Sequence, residues 1–173
     1  MNRSPSCGPF RPQLSSVLRG RAQAFADITG GEDRPEISGI VRFFQTNKGV
    51  IVQAEVCGLP KDGPAACQQR IFGFHIHKGT DCGGAGEPFA DAMSHYDLND
   101  CEHPHHAGDL PPLFGNDGLA LSAFLTNRFS VEEVIGRVVI IHDRPDDFTT
   151  KPSGNSGTKI ACGVIQRARA SCR

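Results

Sequence analysis

The histidines of this chain are grouped at spacings that suit metal binding. Seven histidines occur among 173 residues, and two of them, His75 and His77, are separated by a single residue. In a β-strand alternate side chains point to the same face, so these two imidazoles would project together, roughly 7 Å apart along the backbone. Two imidazoles on one face can bind one metal ion, although a pair of surface or core histidines shows the same spacing.

A second group of metal-binding residue types lies in residues 103–109, which read His-Pro-His-His-Ala-Gly-Asp. The proline and the glycine allow the chain to curl around an ion, and tetrahedral zinc accepts such nitrogen and oxygen ligands at about 2.0–2.2 Å. His95, upstream of this segment, is available as a fourth ligand. The spacing from His95 favours His103 over His105, but His105 stays open as a rival, and a polar surface loop would have a similar composition.

Composition and charge limit the kind of protein that can carry these groups. A chain of 173 residues with 38% hydrophobic residues is long enough for one globular domain with a proper core. Its 18 basic and 19 acidic residues give a net charge of -1. The chain therefore lacks the excess of positive charge that binds nucleic acid or an anionic membrane. The apolar runs are too short to span a bilayer. We therefore expect no nucleic-acid partner and no membrane span.

The positions of turns and apolar runs predict an all-β fold. Twenty glycines and twelve prolines, without any tryptophan, favour many turns between short strands. Residues 40–45 and 50–56 are β-rich, and the intervening 46–49 ends in a glycine, which indicates a hairpin. Further strands are predicted at 71–77, 119–125, 138–142 and 159–165, with a short helical link at 131–135. The first of these contains the spaced histidine pair, and the third ends at His142.

The amino-terminal part differs from the rest of the chain. Residues 1–35 are rich in Arg, Ser, Pro and Gly without periodicity, so we expect a flexible or loosely packed extension before a domain at 36–173. They contain no apolar segment of the kind that directs export, which favours the cytoplasm. Seven cysteines instead favour an oxidising compartment with one to three disulfides. If the start of the sequence is trimmed, a periplasmic or extracellular location therefore stays open.

Taken in order from Ile37 to Ile165, the motifs of this chain resemble those of the copper/zinc superoxide dismutases. The matching segments are Gly73-Phe74-His75-Ile76-His77, Ser94-His95-Tyr96-Asp97, His106-Ala107-Gly108-Asp109-Leu110-Pro111, Val139-Ile140-Ile141-His142 with Asp146-Asp147-Phe148, and Ser153-Gly154-Asn155-Ser156-Gly157 before Ala161-Cys162-Gly163. Only two residues separate His103 from His106, which resembles the shortened zinc loop of bacterial members. The resemblance implies an eight-stranded antiparallel Greek-key β-barrel or sandwich with long metal-binding loops.

The resemblance also implies two metal ions that share one histidine. Copper would be held by His75, His77, His95 and His142. Zinc would be held by His95, His103, His106 and Asp109. The shared imidazolate would bridge the two ions. Asp146 stands where the family has a carboxylate that hydrogen-bonds one copper histidine and one zinc histidine, here His75 and His103, and such partners fix ring orientation. Cys82 and Cys162 match the disulfide of the family.

The function implied by the resemblance is the dismutation of superoxide. Bound copper would supply the one-electron chemistry by which one superoxide becomes dioxygen and a second becomes hydrogen peroxide, and His95 would carry a proton. Zinc has no redox chemistry and positions the shared histidine. Lys159 stands where the family usually has an arginine near copper, so it keeps the charge that attracts an anion but loses the planar donor pair. Lys151 is a second candidate for attracting superoxide, with a solvated loop lysine as the alternative.

Three other protein classes fit part of the pattern. A cupin also carries a spaced histidine pair on a strand, with Asp81 and His142 as later ligands, but it would leave the group at 103–109 unused. A mononuclear zinc hydrolase needs an acid or base near a zinc-bound water, and no helix-borne His-Glu pair supplies one. A non-catalytic copper-binding or copper-chaperone module of the same fold is the stronger alternative, although complete ligand sets favour the enzyme. Family members occur as dimers and monomers, which leaves a homodimer open.

Overall fold

Antiparallel strands form almost all of the regular structure in residues 20–61 and 70–169, the parts of the chain that this computed structural model describes. The strands of these residues are β1 Ala24–Gly30, β2 Ser38–Thr46, β3 Gly49–Cys57, β4 Ile71–Phe72, β5 Phe74–His77, β6 Leu113–Phe114, β7 Ala120–Thr126, β8 Val138–His142 and β9 Lys159–Arg167. They are joined by a 3-10 helix at Ala90–Ala92 and a helix, α1, at Val131–Val134. The predicted all-β class is confirmed. No helix in the described residues has the length and apolar character needed to cross a membrane.

Most of the strands form one antiparallel sheet in the order β5-β8-β9-β1-β2-β3-β7, and β4 pairs with β6 in a separate small sheet. Consecutive strands β1, β2 and β3 are neighbours, whereas the chain then crosses to β5 at the far edge and returns to β7 beside β3. The predicted hairpin is present, because Thr46 pairs with Gly49 at the turn between β2 and β3. Gly49 has a φ of 131°, and a Cβ atom there would lie 2.2 Å from the Thr126 carbonyl oxygen, so the turn requires glycine.

One buried apolar cluster accounts for the shape of the large sheet. Its members include Val41 and Phe43 of β2, Phe74 of β5, and Val139 and Ile141 of β8. β2 is far from the neighbouring strands β5 and β8 in the sheet order, so the sheet must curl for their side chains to share one core. The same core therefore fixes β5, which carries the histidine pair, and β8, which ends at His142.

Two boundaries differ from those predicted. β1 lies inside the segment 1–35 that composition assigns to an extension, yet it pairs with β2 on one side and β9 on the other. Its buried side chains include Ala24 and Ala26, and such small residues give a weak apolar signal in the sequence. The sheet therefore begins well before residue 36, while residues 1–19 lie outside the described residues. The predicted strand 71–77 is divided at Gly73 into β4 and β5. When these two are counted as one interrupted strand, the described residues contain eight strands, the number predicted.

A disulfide between Cys82 and Cys162 ties the long loop after β5 to β9, as the resemblance implied. Its sequence separation is 80 residues, and the chain-entropy model assigns a bridge of that span about 4.5 kcal/mol of stabilisation. Cys57 and Cys101 form no disulfide within the described residues. The remaining cysteines, Cys7, Cys67 and Cys172, lie outside the described residues.

Candidate metal centre

The outer edge of β5 holds the loop segments that carry the other metal-binding residue types. β5 pairs with β8 along one edge. Along its other edge, isolated bridges join His77 to His95 and His75 to Asp109. Backbone pairing therefore places parts of the loop after β5 directly beside the two histidines of the strand.

Four buried histidines from two strands and one loop form the first cluster. His75 and His77 belong to β5, and His142 ends β8 at an irregularity in its pairing with β9. One ring nitrogen of each, together with one of His95, lies within 4.8 Å of the other three. The four residues that the resemblance implies for copper are thus assembled in one place.

The second cluster consists of three histidines and one carboxylate. One candidate ligand atom from each member lies within 4.8 Å of the others, and the members are His95, His103, His106 and Asp109. His103 is buried, whereas His105 is exposed and belongs to neither cluster. The geometry therefore favours His103 over its rival. His95 is a member of both clusters.

Hydrogen bonds to the imidazole rings leave one particular nitrogen of each ring facing the first cluster. The Nδ1–H of His77 donates to the Met93 carbonyl oxygen at 2.8 Å, and that of His142 donates to the Gly157 carbonyl oxygen at 3.2 Å. A carbonyl oxygen can only accept, so each Nε2 keeps its lone pair. The two Nε2 atoms lie 3.3 Å apart, an arrangement that suits two ligands of one ion.

Asp146 orients one histidine of each cluster. The Nε2–H of His75 donates to Asp146 Oδ2 at 2.7 Å, and the Nε2–H of His103 donates to Asp146 Oδ1 at 2.9 Å. The Phe148 N–H also donates to Oδ1, at 2.7 Å. A Cβ atom at Gly154 would lie 1.9 Å from Asp146 Oδ1, so this position, at a φ of 67°, requires glycine. These contacts lie where the resemblance implied them.

Several buried ring nitrogens of the two clusters lack a hydrogen-bond partner. In the described residues these atoms are His75 Nδ1, His95 Nε2 and His103 Nδ1. An unsatisfied buried polar atom costs on the order of 1–3 kcal/mol, so their concentration in one small volume indicates that they bind something. Imidazole nitrogen is a good ligand for both copper and zinc, and zinc also accepts a carboxylate oxygen. The residues present therefore fit two metal ions.

Burial and the contacts between the clustered groups set their charge. Burial lowers the pKa of His75 to about 4 and that of His142 to about 3, and it holds the pKa of His77 well below its usual value. Burial acts to raise the pKa of Asp109, but the hydrogen bond with His95 and the charge interactions with His95, His106 and His103 together outweigh it and lower that pKa to about 2. Near neutral pH the imidazoles of His75, His77 and His142 are neutral and the carboxylate is ionised, which are the protonation states that metal binding needs.

The two lysines predicted to attract an anion lie in different surroundings. Lys159 lines the same cavity as three histidines of the first cluster, and its Nζ donates to the Phe89 carbonyl oxygen at 3.1 Å. Burial lowers the pKa of Lys159. Lys151 forms an exposed ion pair with Glu102, so its charge is balanced at the surface. Of the two lysines, Lys159 is therefore the one that lies in the wall of the cavity beside the first cluster.

Comparison with known proteins identifies the family. The sequence model of the family described as copper/zinc superoxide dismutase (SODC) matches residues 37–165, which is most of the chain. The chain belongs to the copper/zinc superoxide dismutase family. The predicted family and enzyme class are confirmed, and copper and zinc are the metals that membership implies.

Individual members of the family show how far the similarity extends. The superoxide dismutase [Cu-Zn] of Legionella pneumophila is 36% identical over 141 residues, covering 77% of this chain and 80% of the relative. That of Deinococcus radiodurans is 35% identical over 150 residues, covering 76% and 78%. A copper chaperone for superoxide dismutase from Sus scrofa is 32% identical over 171 residues, covering 90% of this chain but 58% of the chaperone. The match to the two dismutases extends over most of both chains.

The family motifs account for the clustered side chains but not for all the groups that orient them. The oxygen atoms that fix the rings of His77 and His142 are backbone carbonyls, of Met93 and Gly157, and any residue type could supply them. The glycines of the motif at 153–157 did carry a signal, because both adopt positive φ beside the site. Arg128, which follows β7 and contacts the backbone of the loop in the second cluster, was not among the predicted site residues either.

Proposed function

We propose that this protein converts two superoxide anions and two protons into dioxygen and hydrogen peroxide. One superoxide loses an electron to become dioxygen, and the other gains an electron and takes up both protons. Copper bound by the first cluster supplies this one-electron chemistry, while zinc bound by the second cluster has no redox chemistry. The observation that carries the proposal is the position of His95 between the two clusters.

His95 can serve both clusters because its ring nitrogens have different neighbours. Its Nδ1 lies 2.7 Å from Asp109 Oδ1 in the second cluster. Its Nε2 is buried without a hydrogen-bond partner among the described residues, and its ring centroid lies 3.9 Å from that of His75. With Nδ1 held by the second cluster, Nε2 is the atom that can hold a proton and pass it to the reduced substrate. His95 is therefore the proposed proton carrier.

The remaining groups of the first cluster are proposed to stay fixed during turnover. His75, His77 and His142 each donate their outer N–H to an oxygen atom of the protein, which keeps the opposite nitrogen aimed into the cluster. Lys159 supplies positive charge in the wall of the cavity, where it raises the local concentration of an anion. No observation favours the alternative of a protein that only carries copper, because that role would give the second cluster no function.

The test of the proposed function is metal-dependent dismutation by the purified full chain. Protein reconstituted with both metals should contain one copper and one zinc per chain by elemental analysis. It should accelerate superoxide loss and form one hydrogen peroxide for every two superoxides consumed. The metal-free protein should be inactive and should regain activity when copper is returned. Fully loaded protein without activity would contradict the proposal.

Replacing Lys159 by alanine is expected to lower the second-order rate constant for superoxide by about tenfold, the lower end of the effect of electrostatic steering. Added salt should slow the native protein but have much less effect on the variant, because salt screens the charge that the variant lacks. Stopped-flow spectroscopy or pulse radiolysis at several ionic strengths measures both quantities.

Lys151→Ala is the matched control, since the ammonium group of Lys151 is already paired with Glu102. Its rate constant should stay close to native. Lys159→Arg should retain both the rate and the salt dependence because it retains the charge. A Lys159→Ala variant with native rate and native salt dependence would remove Lys159 from the proposed mechanism.

A further inference from the structure

The loop that carries His103 and His106 has no regular structure of its own. Residues 101–107 belong to no strand or helix. Ligands on such a loop are held in place only if its backbone is restrained from outside, because an unrestrained segment loses conformational entropy when an ion binds. Besides the hydrogen bond of His103 to Asp146, one such restraint comes from a residue that lies outside the metal-binding motifs, Arg128.

Arg128 hydrogen-bonds three backbone carbonyl groups around the second cluster. The two hydrogens of its Nη1 are shared among three acceptors, the Pro104 oxygen at 3.1 Å, the His106 oxygen at 3.2 Å and the Asp109 oxygen at 3.1 Å. His106 and Asp109 are members of the cluster, and Pro104 directly follows a third member, His103. One guanidinium group thus fastens the backbone at or beside three of the four residues of the cluster.

The backbone of Arg128 is itself held firmly. Its N–H donates to Thr126 Oγ1, at the end of β7, at 3.2 Å. The next residue, Phe129, is buried in the main core. Ser130 then begins α1 with a capping box, in which Glu133 Oε2 accepts from the Ser130 N–H at 2.6 Å. The arginine therefore projects toward the loop from a part of the chain that is fixed on both sides.

We propose that Arg128 is a positioning residue that preorganises the second cluster for zinc. It contacts backbone carbonyls rather than the ligand atoms, so it acts by fixing the loop and not by joining the coordination sphere. Three backbone positions held by one side chain cannot move independently, which lowers the entropy lost when the ligands close on an ion. This proposal rests on the assignment of zinc to the second cluster made for the proposed function.

The test compares the zinc affinity of Arg128→Ala with that of the native chain, both loaded with copper, by competition with a chelator. Losing a group that orients metal ligands typically costs 10- to 100-fold in affinity, so zinc should bind about 10- to 100-fold more weakly. Cobalt placed in the zinc position should show a changed visible spectrum, whereas cupric copper should keep its native spectrum. A general loss of stability would not produce this difference between the two metals.

Arg42→Ala is the matched control, because Arg42 makes an exposed ion pair with Glu55 in β2 and β3, away from the loop. Its zinc affinity should be native. Arg128→Lys keeps the charge and N–H donors but loses the rigid fork, so its zinc affinity should fall between those of the native chain and Arg128→Ala.

Native zinc affinity in Arg128→Ala, or an equal loss in Arg42→Ala, would overturn the proposal. If Arg128→Ala does not fold, the lysine variant decides: weakened zinc binding with a native copper spectrum supports the proposal, and native zinc affinity overturns it. A native chain that binds no zinc would overturn the metal assignment of the proposed function as well. A chain that binds zinc but lacks dismutase activity would leave this test of Arg128 intact.

Discussion

Replacing His142 by alanine is expected to reduce superoxide dismutation below about 1% of the native rate. Loss of a group that merely orients a metal ligand already costs up to about 100-fold, and His142 supplies one of the ring nitrogens of the first cluster itself. Copper content should fall, whereas zinc should be retained, because His142 is not a member of the second cluster. Elemental analysis and an activity assay on the same preparation measure all three quantities.

His105→Ala is the control for this experiment. His105 is exposed and lies outside both clusters, so the variant should keep both metals and full activity. The control also decides between the two candidate loop histidines. Loss of zinc in His105→Ala would make His105 the ligand in place of His103, and a fully active His142→Ala would refute the proposed copper set.

The clustered residues could be predicted from the sequence because metal chemistry restricts residue type. Few side chains bind copper or zinc well, and His75 and His77 stand at the strand period that puts both on one face. The structure brings the remaining members to them because β5 is paired along both of its edges, with β8 and with the loop residues His95 and Asp109. The motifs that resemble the family lie at these pairing positions.

What escaped prediction depends on contacts between distant parts of the backbone. The acceptors of Arg128 are carbonyl groups, which every residue type possesses, so no motif marks the interaction. β1 is a strand because β2 and β9 pair with it, although Ala24 and Ala26 give it little apolar character. The spacing from His95 favoured His103 but left His105 as a rival, and the hydrogen bond of His103 to Asp146, a contact between distant residues, adds to that preference.

The variant Asp146→Ala is expected to weaken both metal sites together. One carboxylate orients His75 in the first cluster and His103 in the second, so its removal should lower the affinity for copper and for zinc by about 10- to 100-fold each. Chelator competition with each metal in turn measures the two affinities. Asp147→Asn is the matched control, because the Asp147 carboxylate bonds only to the exposed Thr149 and Thr150 among the described residues.

The variant Asp146→Asn should separate the two sites, because an asparagine side chain has one acceptor oxygen and one donor amide group. Asp146 Oδ1 accepts from both His103 and the Phe148 N–H, whereas Oδ2 accepts from His75 alone. The amide oxygen should therefore take the Oδ1 position, which leaves the NH2 group facing the His75 N–H, donor against donor. Copper affinity should fall while zinc affinity stays close to native. Equal losses of the two metals would refute this assignment of the two carboxylate oxygens, and native affinities in Asp146→Ala would show that the carboxylate orients neither histidine.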